Sequence, residues 1–494
     1  MKKLLTGLNI YNSESQRFDS KNILIDGNKF KAIDHERLDD SYDVLNYRNH
    51  YLYPSFVDSH AHLLGIGIEL SRFSLKDVDT KDALRMAILT QKNSFIILRG
   101  WDEAKLDFFP DKQFIDSIIT DTKCLLIRKC GHTGTCNSTL ISELTQRGIQ
   151  EMDDSDYNRG ILKERTLEQA MQLVHYQKQD IALYLTKAAQ ALRKTGITSM
   201  HTDDYHSNDI NDLVNIVMNQ KELRVFEKIN PESVNELKNL IQSGIFKGKN
   251  NDFATIRSVK VFLDGSFGAK SAFLSQPYEQ TNINGVLYMK PEEFAEYVKI
   301  CEENHLQLLV HVIGDAALDV ALEGFQQSIS SYNPLRHRII HLQMASQKQL
   351  KRIKETNLFL SIQPVFYTSD YDMALKIIGK KRMEEIAYPF KKALDMGIEL
   401  SLSTDAPVED YNPFRNMISA LNFFDIKTAF EKYTVASAKA AFWEDRVGKI
   451  ENGFLADGFL STKNIFEMNE SELSQFQPKA VIFNGQVNNN HILD

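Results

Sequence analysis

Two histidines separated by one residue, His60 and His62, follow an apolar run that has the composition of a buried strand. Side chains at alternate positions of a strand point to the same side, so both imidazoles can bind one cation together. Asp58 and the run PSFV around it indicate burial, which argues against two surface histidines in a turn. The spacing therefore predicts a metal-binding pair at the end of this strand.

Three more polar side chains follow apolar runs further along the chain: His311 after QLLV, His341 after RII, and Asp405 after ELSLST. Any one of them alone is better explained as a hydrogen-bonded core or loop residue. Together with the first pair they supply four imidazoles and one carboxylate, which are ligand types that zinc and similar divalent ions favour. We therefore expect these five residues to converge on one metal centre.

Lys260 lies in the run SVKVFLDGS, where alternation places Lys260, Phe262 and Asp264 on one face and apolar residues on the other. If the apolar face meets outer helices, Lys260 points into the interior, where an ammonium is costly unless paired or chemically changed. Two outcomes stay open: an ion pair with Asp264 or another acid, or carbamylation into an anion that bridges two metals. The spacing alone favours the ion pair.

Eight short apolar runs must position these residues. They cover 52–60, 196–202, 223–229, 258–263, 306–312, 336–342, 358–364 and 398–404. Most are followed by a segment with helical periodicity, a pattern typical of an α/β fold with a (β/α)8 TIM-type barrel. Reactive side chains in such a barrel lie at the carboxyl ends of the strands, where these histidines and the aspartate fall.

The predicted barrel accounts for only part of the chain. The segment between the first and second runs is far longer than a βα loop, so it must form an inserted subdomain. Glycines between β-rich runs near both termini indicate hairpins of one small β domain. The predicted boundaries are 1–51 with 445–494 for this composite domain, 52–66 with 191–444 for the barrel, and 67–190 for an insertion roofing the active site.

Composition excludes several classes of function. The 58 basic and 66 acidic residues give a net charge of −8, with no basic stripe for a nucleic acid. The first residues, MKKLLTGLNIYNSESQ, contain only a broken apolar stretch, so we expect no membrane association and a cytoplasmic location. The cysteines include no C-x-x-C pair, which predicts reduced thiols; they are Cys124, Cys130, Cys136 and Cys301.

Several ordered motifs span nearly the whole chain: FVDSHAH, VKVFLDGSFGAKSA, HVIGDAA, RHRIIHLQ, STDAPVEDYNP and GKIENGFLAD, with GWDEAKLDFFP and KCGHTGTCNS in the predicted insertion. In this order they resemble the amidohydrolase superfamily. Within it they are most similar to the branch of N-substituted formamide deformylase-like metal-dependent hydrolases, amidohydrolase family 3. So many motifs in sequence order make a chance similarity improbable.

The resemblance implies a metal-dependent amidohydrolase that cleaves a carbon–nitrogen bond, of amide or formamide type and other than a peptide bond, in a small molecule. It implies a divalent cofactor, with zinc as the expected ion in one or two copies. The implied ligands are His60, His62, Lys260, His311, His341 and Asp405. It also shifts the preferred state of Lys260 from an ion pair to a carbamate that bridges the metals. One departure is Ile340, which stands where the family usually has an acid and predicts a missing contact to His341.

A divalent metal lowers the pKa of bound water toward about 7, so we expect a metal-bound hydroxide to attack the carbonyl. Asp405 would act as general base and then as general acid toward the departing nitrogen. His132, in KCGHTGTCNS, is a second catalytic candidate that could donate to the substrate, and a structural histidine explains it equally well. Substrate-binding candidates, each with a packing or capping alternative, are Trp101, Asp102, Asp264 and Asp315.

Two other functions remain open. A mononuclear deaminase-like enzyme of the same superfamily requires an unmodified Lys260, with His341 as acid and base instead of ligand. A catalytically inactive, metal-free scaffold is the other, although a scaffold has no need to keep all five metal-binding residues. The sequence does not identify the substrate, and it leaves the oligomeric state open, with a homodimer among the alternatives.

Overall fold

The computed structural model describes residues 2–33, 42–102, 105–106, 108–129, 133–152, 155–174, 178–204, 209–330 and 332–490. The chain forms two compact units. The larger unit comprises Met1–Ile66, Leu185–Asp204 and Leu213–Asp494, and the smaller comprises Gly67–Tyr184 and Tyr205–Asp212. The predicted domain boundaries, and the position of the insertion over the active site, stay predictions.

The larger unit begins with five strands that precede the barrel. They are β1 (Lys2–Asn12), β2 (Arg17–Asp26), β3 (Lys29–Ile33), β4 (Tyr42–Asn46) and β5 (Tyr51–Pro54), followed by the first barrel strand, β6 (Phe56–Ala61). β1 pairs antiparallel with β2 and parallel with β4 and β5. One residue separates β5 from β6, so the chain passes directly from this sheet into the barrel.

The smaller unit contains a four-stranded sheet with both faces covered. Its strands are β7 (Phe95–Trp101), β8 (Lys123–Arg128), β9 (Thr133–Cys136) and β10 (Ile161–Lys163), in the order β10-β9-β8-β7. Alternate residues of β8 enter two apolar clusters, Leu126 in one and Leu125 in the other. The helices of this part of the chain are α1 (Leu63–Ser71), α2 (Lys81–Leu89), α3 (Lys112–Asp116), α4 (Ser138–Gln146), α5 (Glu164–Gln172) and α6 (Lys178–Lys194).

All eight predicted barrel strands are present, and they pair in parallel in chain order. After β6 they are β11 (Ile197–Thr202), β12 (Arg224–Ile229), β13 (Ala254–Phe262), β14 (Gln307–Val312), β15 (Arg338–His341), β16 (Phe359–Ile362) and β17 (Leu400–Leu402). The last strand returns beside the first: just beyond β17, Asp405 N donates to His60 O at 2.9 Å, and Ala406 O accepts from His62 N at 2.8 Å. The prediction of an α/β fold with an eight-stranded parallel barrel is confirmed, and the barrel is nearly closed.

Helices follow most barrel strands. They are α7 (Ile210–Asn219), α8 (Val234–Ser243), α9 (Pro291–Glu303), α10 (Asp315–Ser328), α11 (Gln347–Glu355), α12 (Pro364–Ser369), α13 (Tyr371–Glu385), α14 (Phe390–Asp395), α15 (Pro413–Ala420), α16 (Ile426–Lys432) and α17 (Val435–Ala440). Local sequence sets several of their ends. Ser346 and Gln349 form a reciprocal capping box at the start of α11, and Gly244 ends α8 in the left-handed conformation.

The chain ends in the sheet in which it began. β18 (Gly458–Ser461), a short 3-10 helix (Ile465–Glu467), α18 (Glu470–Ser474), β19 (Ala480–Phe483) and β20 (Gln486–Asn489) close this part of the fold. β18 pairs antiparallel with β5, which gives the order β20-β19-β18-β5-β1-β2-β3 with β4 beside β1. Strands from both termini therefore belong to one sheet.

A buried ion pair joins this sheet to the barrel. Arg224, at the start of β12, donates from Nε and Nη2 to the two carboxylate oxygens of Asp457, at 2.5 and 2.9 Å, just before β18. The rings of Phe253 and Phe483 lie 5.3 and 5.2 Å from the guanidinium carbon. Because both charged groups are almost fully buried, removal of one leaves the other uncompensated.

Two smaller expectations concern the thiols and the membrane. Cys124, Cys136 and Cys301 are buried free cysteines, and Cys130 lies outside the described residues. Burial raises the pKa of the Cys124 thiol to about 12, so the thiol stays protonated and unreactive. Among the helices of the described ranges, none has the length and the apolar run that crossing a membrane requires.

The substitution Asp457→Asn should lower the free energy of unfolding by about 3–5 kcal/mol, because the Arg224 charge loses its buried partner. Urea denaturation followed by circular dichroism measures this loss. The control is Glu355→Gln, which removes the acid of an exposed pair with Lys351 on α11 and should change stability by less than about 0.5 kcal/mol. Equal effects of the two substitutions would contradict the structural role of the Arg224–Asp457 pair.

Candidate metal centre

The carboxyl ends of the barrel strands bring all five predicted ligands from β6, β14, β15 and β17 into one cluster. Asp405 Oδ1 lies 3.1 Å from His60 Nε2 and 3.1 Å from His62 Nε2. The His341 ring is close to two further imidazoles: its centroid lies 5.4 Å from that of His60 and 4.4 Å from that of His311. Residues far apart in the sequence thus share one small volume.

Backbone geometry directs these side chains. Asp405 and His341 have φ values of 60° and 78°, in the left-handed region that non-glycine residues rarely adopt. Such a residue costs on the order of 1–3 kcal/mol and persists only where the surrounding structure determines it. Asp405 is held by its backbone bond to His60 O, across the seam between β17 and β6.

Asp58, two residues before His60, supports this seam. Its carboxylate accepts hydrogen bonds from Thr404 Oγ1 at 2.7 Å, Tyr433 OH at 2.9 Å and His60 N at 3.1 Å. Burial raises the pKa of Asp58 to about 6, although these donors oppose the shift. The hydrogen bonds fix the residue before Asp405 against the strand that carries the histidine pair.

Each of three imidazoles is oriented by one ring nitrogen, which leaves the other for the cluster. His62 Nδ1 contacts Asp203 O at 3.2 Å, and His311 Nε2 contacts Gly265 O at 3.1 Å. Because a carbonyl oxygen only accepts, each of these nitrogens carries the proton. In His311 the opposite nitrogen, Nδ1, then keeps a lone pair for a metal ion, whereas His62 Nε2 faces Asp405 Oδ1 at 3.1 Å.

Ile340 led us to expect that His341 lacks a supporting contact. A different residue supplies one. His341 Nδ1 lies 2.8 Å from Gln363 Oε1, directly after β16. The Gln363 amide is itself fixed, because its Nε2 donates to Ser403 Oγ at 2.8 Å. The amide oxygen therefore accepts from Nδ1, and His341 Nε2 is left for a cation.

Two residues that the sequence analysis did not single out belong to the same cluster. Asp203, just after β11, has Oδ1 2.7 Å from Lys228 Nζ and 3.4 Å from His60 Nδ1. Lys228, on β12, also lies 2.5 Å from His60 Nδ1. The same strand-end and alternation arguments applied to THTDD and LRVFEKI could have identified both.

Lys260 is fully buried, as its position in β13 predicted. Its Nζ lies 3.5 Å from Asp203 Oδ2 and 4.1 Å from the centroid of the Phe262 ring. The acid beside Lys260 is therefore Asp203 and not Asp264; the spacing had left open an ion pair with Asp264 or with another acid. Asp264 is engaged elsewhere: its carboxylate accepts from the backbone N–H groups of Phe273, Ile313 and Gly314.

The electrostatics set the protonation states. Burial favours a neutral Asp203, but Lys228 and Lys260 hold its pKa well below the usual value, and the histidines do the same for Asp405. Burial and Lys260 lower the pKa of His311 to about 3, and burial and His311 hold that of His341 well below its usual value. Ionised carboxylates beside neutral imidazoles are the forms that bind a metal ion.

His62 behaves differently from the other imidazoles. Burial lowers its pKa, but the neighbouring carboxylates of Asp203 and Asp405 raise it to about 9. A bound cation would displace this proton, so metal binding at His62 releases a proton to solvent.

The donor set fits a divalent cation. Within the described residues, two overlapping groups of ligand atoms each lie within 4.8 Å of one another: His60, His341 and Asp405 in one, and His60, His62 and Asp203 in the other. Imidazole nitrogen and carboxylate oxygen are the ligands that zinc and related ions favour. His60 belongs to both groups, so it is central to either site.

The remaining predicted site residues make other contacts within the described part of the chain or lie outside it. Trp101 is buried in the smaller unit, where Nε1 donates to Leu126 O at 3.0 Å, and Asp102 pairs with Lys129. Asp315 opens α10 and accepts from Ser275 N at 3.0 Å. His132 lies outside the described residues. A role in substrate binding or catalysis for these residues stays a prediction.

Comparisons with known proteins give consistent matches. A family model described as an amidohydrolase family matches residues 43–488. The chain is 25% identical over 507 residues to the Bacillus subtilis protein YtcJ, and the aligned region covers 92% of this chain and 92% of that protein. A solved structure of an uncharacterised metal-dependent hydrolase from Pyrococcus furiosus has a TM-score of 0.81 and 27% identity, covering 94% of this chain and 99% of that one. A more distant relative is N-substituted formamide deformylase of Arthrobacter pascens, 20% identical over 234 residues, or 44% of this chain and 43% of that protein. The resemblance inferred from the motifs is confirmed.

The substitution His60→Asn should abolish stoichiometric metal binding, because this imidazole belongs to both groups of ligand atoms. The metal content of purified, zinc-loaded protein is measured by inductively coupled plasma mass spectrometry. His50→Asn serves as the control, since His50 lies before β5 and contacts a backbone carbonyl, Arg48 O. Unchanged metal content in His60→Asn would show that the cation binds elsewhere.

Proposed function

Because the chain belongs to the amidohydrolase family, we propose that it is a metal-dependent hydrolase of small molecules that cleaves a carbon–nitrogen bond of amide or formamide type, other than a peptide bond. The observation that carries the proposal is the convergence of His60 Nε2 and His62 Nε2 on one oxygen of Asp405 at the barrel mouth. The name of the Pyrococcus protein supports a metal-dependent hydrolase, and that of the Arthrobacter protein supports a formamide bond.

The proposed metal ligands are the residues that the motifs indicated, with Asp203 added from the geometry: His60, His62, Asp203, Lys260, His311, His341 and Asp405. A divalent cation, with zinc as the proposed ion, supplies Lewis acidity that polarises a carbonyl and makes a water molecule more acidic. The chain contributes the fixed ring orientations described above, which leave ligand nitrogens directed at the cluster.

Asp405 is the proposed proton carrier. Its carboxylate is ionised and buried beside His60 and His62, so it can accept a proton from the attacking water. As the new carbon–oxygen bond forms and the carbon–nitrogen bond breaks, the same carboxylate returns the proton to the departing nitrogen. The products are a carboxylic acid and an amine. A proton transfer of this kind contributes about 10²–10⁴-fold to the rate.

The proposed state of Lys260 is a carbamate, formed when its amine adds to carbon dioxide and loses a proton. This would replace a positive charge beside Asp203 by a negative one, so two anions would face each other at the Lys260–Asp203 contact. Such a pair is stable only with cations close by. Lys228 already compensates Asp203, so the added negative charge of a carbamate would favour a second metal ion in this site.

A one-metal, deaminase-like enzyme is the second candidate, and the Lys260–Asp203 contact favours it. An unmodified Lys260 ammonium together with Lys228 already neutralises Asp203 without a second cation. In that case His341, oriented by Gln363, would act as acid and base instead of as a ligand. The two candidates differ in the number of ions and in the chemistry of one lysine.

The substitution Asp405→Asn should reduce turnover by about 10²–10⁴-fold, because the proton carrier is lost while the side-chain shape is kept. Turnover is measured with metal-loaded protein over amides, formamides, ureas, lactams and dipeptides. Asp410→Asn is the matched control, since Asp410 lies in the same loop and pairs with Arg415 at the surface. An unimpaired Asp405→Asn enzyme would remove this residue from the mechanism, and turnover of peptides alone would refute the substrate class.

Protein prepared with ¹³C-bicarbonate should show a carbamate carbon in its ¹³C NMR spectrum, together with two divalent ions per chain. Lys260→Met should lose this signal and one ion. Lys270→Met, an exposed lysine in the segment after β13, should keep both. Absence of the signal in the unsubstituted protein, with one ion per chain, would support the one-metal enzyme.

A further inference from the structure

A cavity lies at the opposite end of the barrel from the metal centre. It has a volume of about 370 Å³ and is lined by the segment after α8, the first residues of β13 and the turn before β14. Lys260 faces the metal centre from β13, whereas Arg257, three positions earlier, faces the other side of the sheet and reaches this cavity. The cavity is therefore separate from the site described above.

The charge of the lining is one-sided. The ionisable side chains are Lys247, Lys249, Arg257 and His305, and no carboxylate lines the cavity. The whole chain carries a net charge of −8, so the positive charge of this lining is opposite in sign to the net charge of the protein. Basic groups that converge on a concave surface create a positive potential, which attracts anions.

These four side chains make no hydrogen bond or ion pair within the described part of the chain, which includes the whole lining. The contrast with Arg336 is direct. Arg336 donates to both carboxylate oxygens of Glu444, while Arg257, whose guanidinium contacts the same Phe442 ring, forms no ion pair with any described acid. The half-buried Arg257 thus lacks a counter-charge that its neighbour has.

The position of Arg257 is nevertheless fixed. Its guanidinium carbon lies 4.0 Å from the centroid of the Phe442 ring, and that of Arg336 lies 4.3 Å from the same centroid. A ring contact of this kind holds one face of a guanidinium and leaves its N–H edge available. That edge can bind a carboxylate or phosphate through two parallel hydrogen bonds.

The remainder of the lining consists of four apolar side chains, Gly248 and three polar residues, Asn250, Thr255 and Asn304. Ile241 and Phe246 come from α8 and the segment after it, and Ile256 and Leu306 from the strand ends. A cavity of this size falls within the range of about 300–1,000 Å³ typical of small-molecule sites. A ligand that fits both parts has an anionic head for the basic groups and a short apolar body for the hydrophobic wall.

We propose that this cavity is a second binding site, for a small organic anion with a carboxylate or phosphate head and a short apolar body. Arg257 binds the head through its N–H edge, and Lys249, half-buried in the segment after α8, adds charge. The apolar wall accepts the body. Ligand binding here does not involve the metal residues, because they lie at the other end of the strands.

The test is isothermal titration calorimetry of the metal-loaded full chain with hexanoate, phenyl phosphate and inorganic phosphate, and with hexanol as a neutral probe. At least one of the two amphiphilic anions should bind, more tightly than inorganic phosphate, while hexanol should not. Because hexanoate and phenyl phosphate differ in body as well as in head, the tighter of the two identifies the preferred combination of head and body. Absence of binding by both at millimolar concentration would overturn the proposal.

Two variants locate the binding. Arg257→Met should weaken it at least tenfold, and Lys249→Met, which keeps Arg257 on its ring, should weaken it by a smaller factor. Lys348→Met, which removes an exposed lysine of α11, is the control and should leave the affinity unchanged. Circular dichroism checks that each variant is folded. The proposal would be overturned if Lys249→Met and a folded Arg257→Met both left the affinity unchanged. It would also be overturned if Lys348→Met weakened binding as much as these two substitutions.

Discussion

The contact of two histidines from the first barrel strand with an aspartate from beyond the last one is the interaction on which the rest of this structure depends. His60 and His62 meet Asp405 across the seam where β17 returns to β6. Backbone hydrogen bonds cross the same seam, and the Asp58 carboxylate holds Thr404 beside it. Closure of the barrel and assembly of the site are therefore one event, and a barrel opened at this seam would have neither.

Charge balance is the second constraint on the barrel interior. Lys228, Lys260, Asp203 and Asp405 are all buried at the mouth, where an isolated charge would be strongly unfavourable. The two ammonium groups compensate Asp203, and His62, the imidazole whose pKa is raised, compensates Asp405. Any cation that enters must fit this balance, so the charge state of Lys260 and the number of bound metals are coupled quantities and not independent properties.

The two ends of the barrel have opposite chemistry. The carboxyl ends of the strands combine ionised carboxylates with neutral imidazoles, which suits a divalent cation. The amino ends of β13 and β14 carry basic side chains over an apolar wall, which suits an amphiphilic anion. The same parallel strands support both, because each strand directs alternate residues to different sides and presents its two ends to different solvent faces.

Local sequence determined the eight strands and placed five candidate site residues at strand ends. Period-two alternation and position at a strand end are properties of a few adjacent residues, so His60, His62, His311, His341 and Asp405 could be identified from spacing. The partners of these residues could not. Asp203 as the acid beside Lys260, Lys228 beside His60 and Gln363 behind His341 all come from other strands. The unpaired state of Arg257 likewise depends on residues distant in the chain. Inter-strand register and side-chain packing decide such contacts, and neither is encoded in the spacing of one segment.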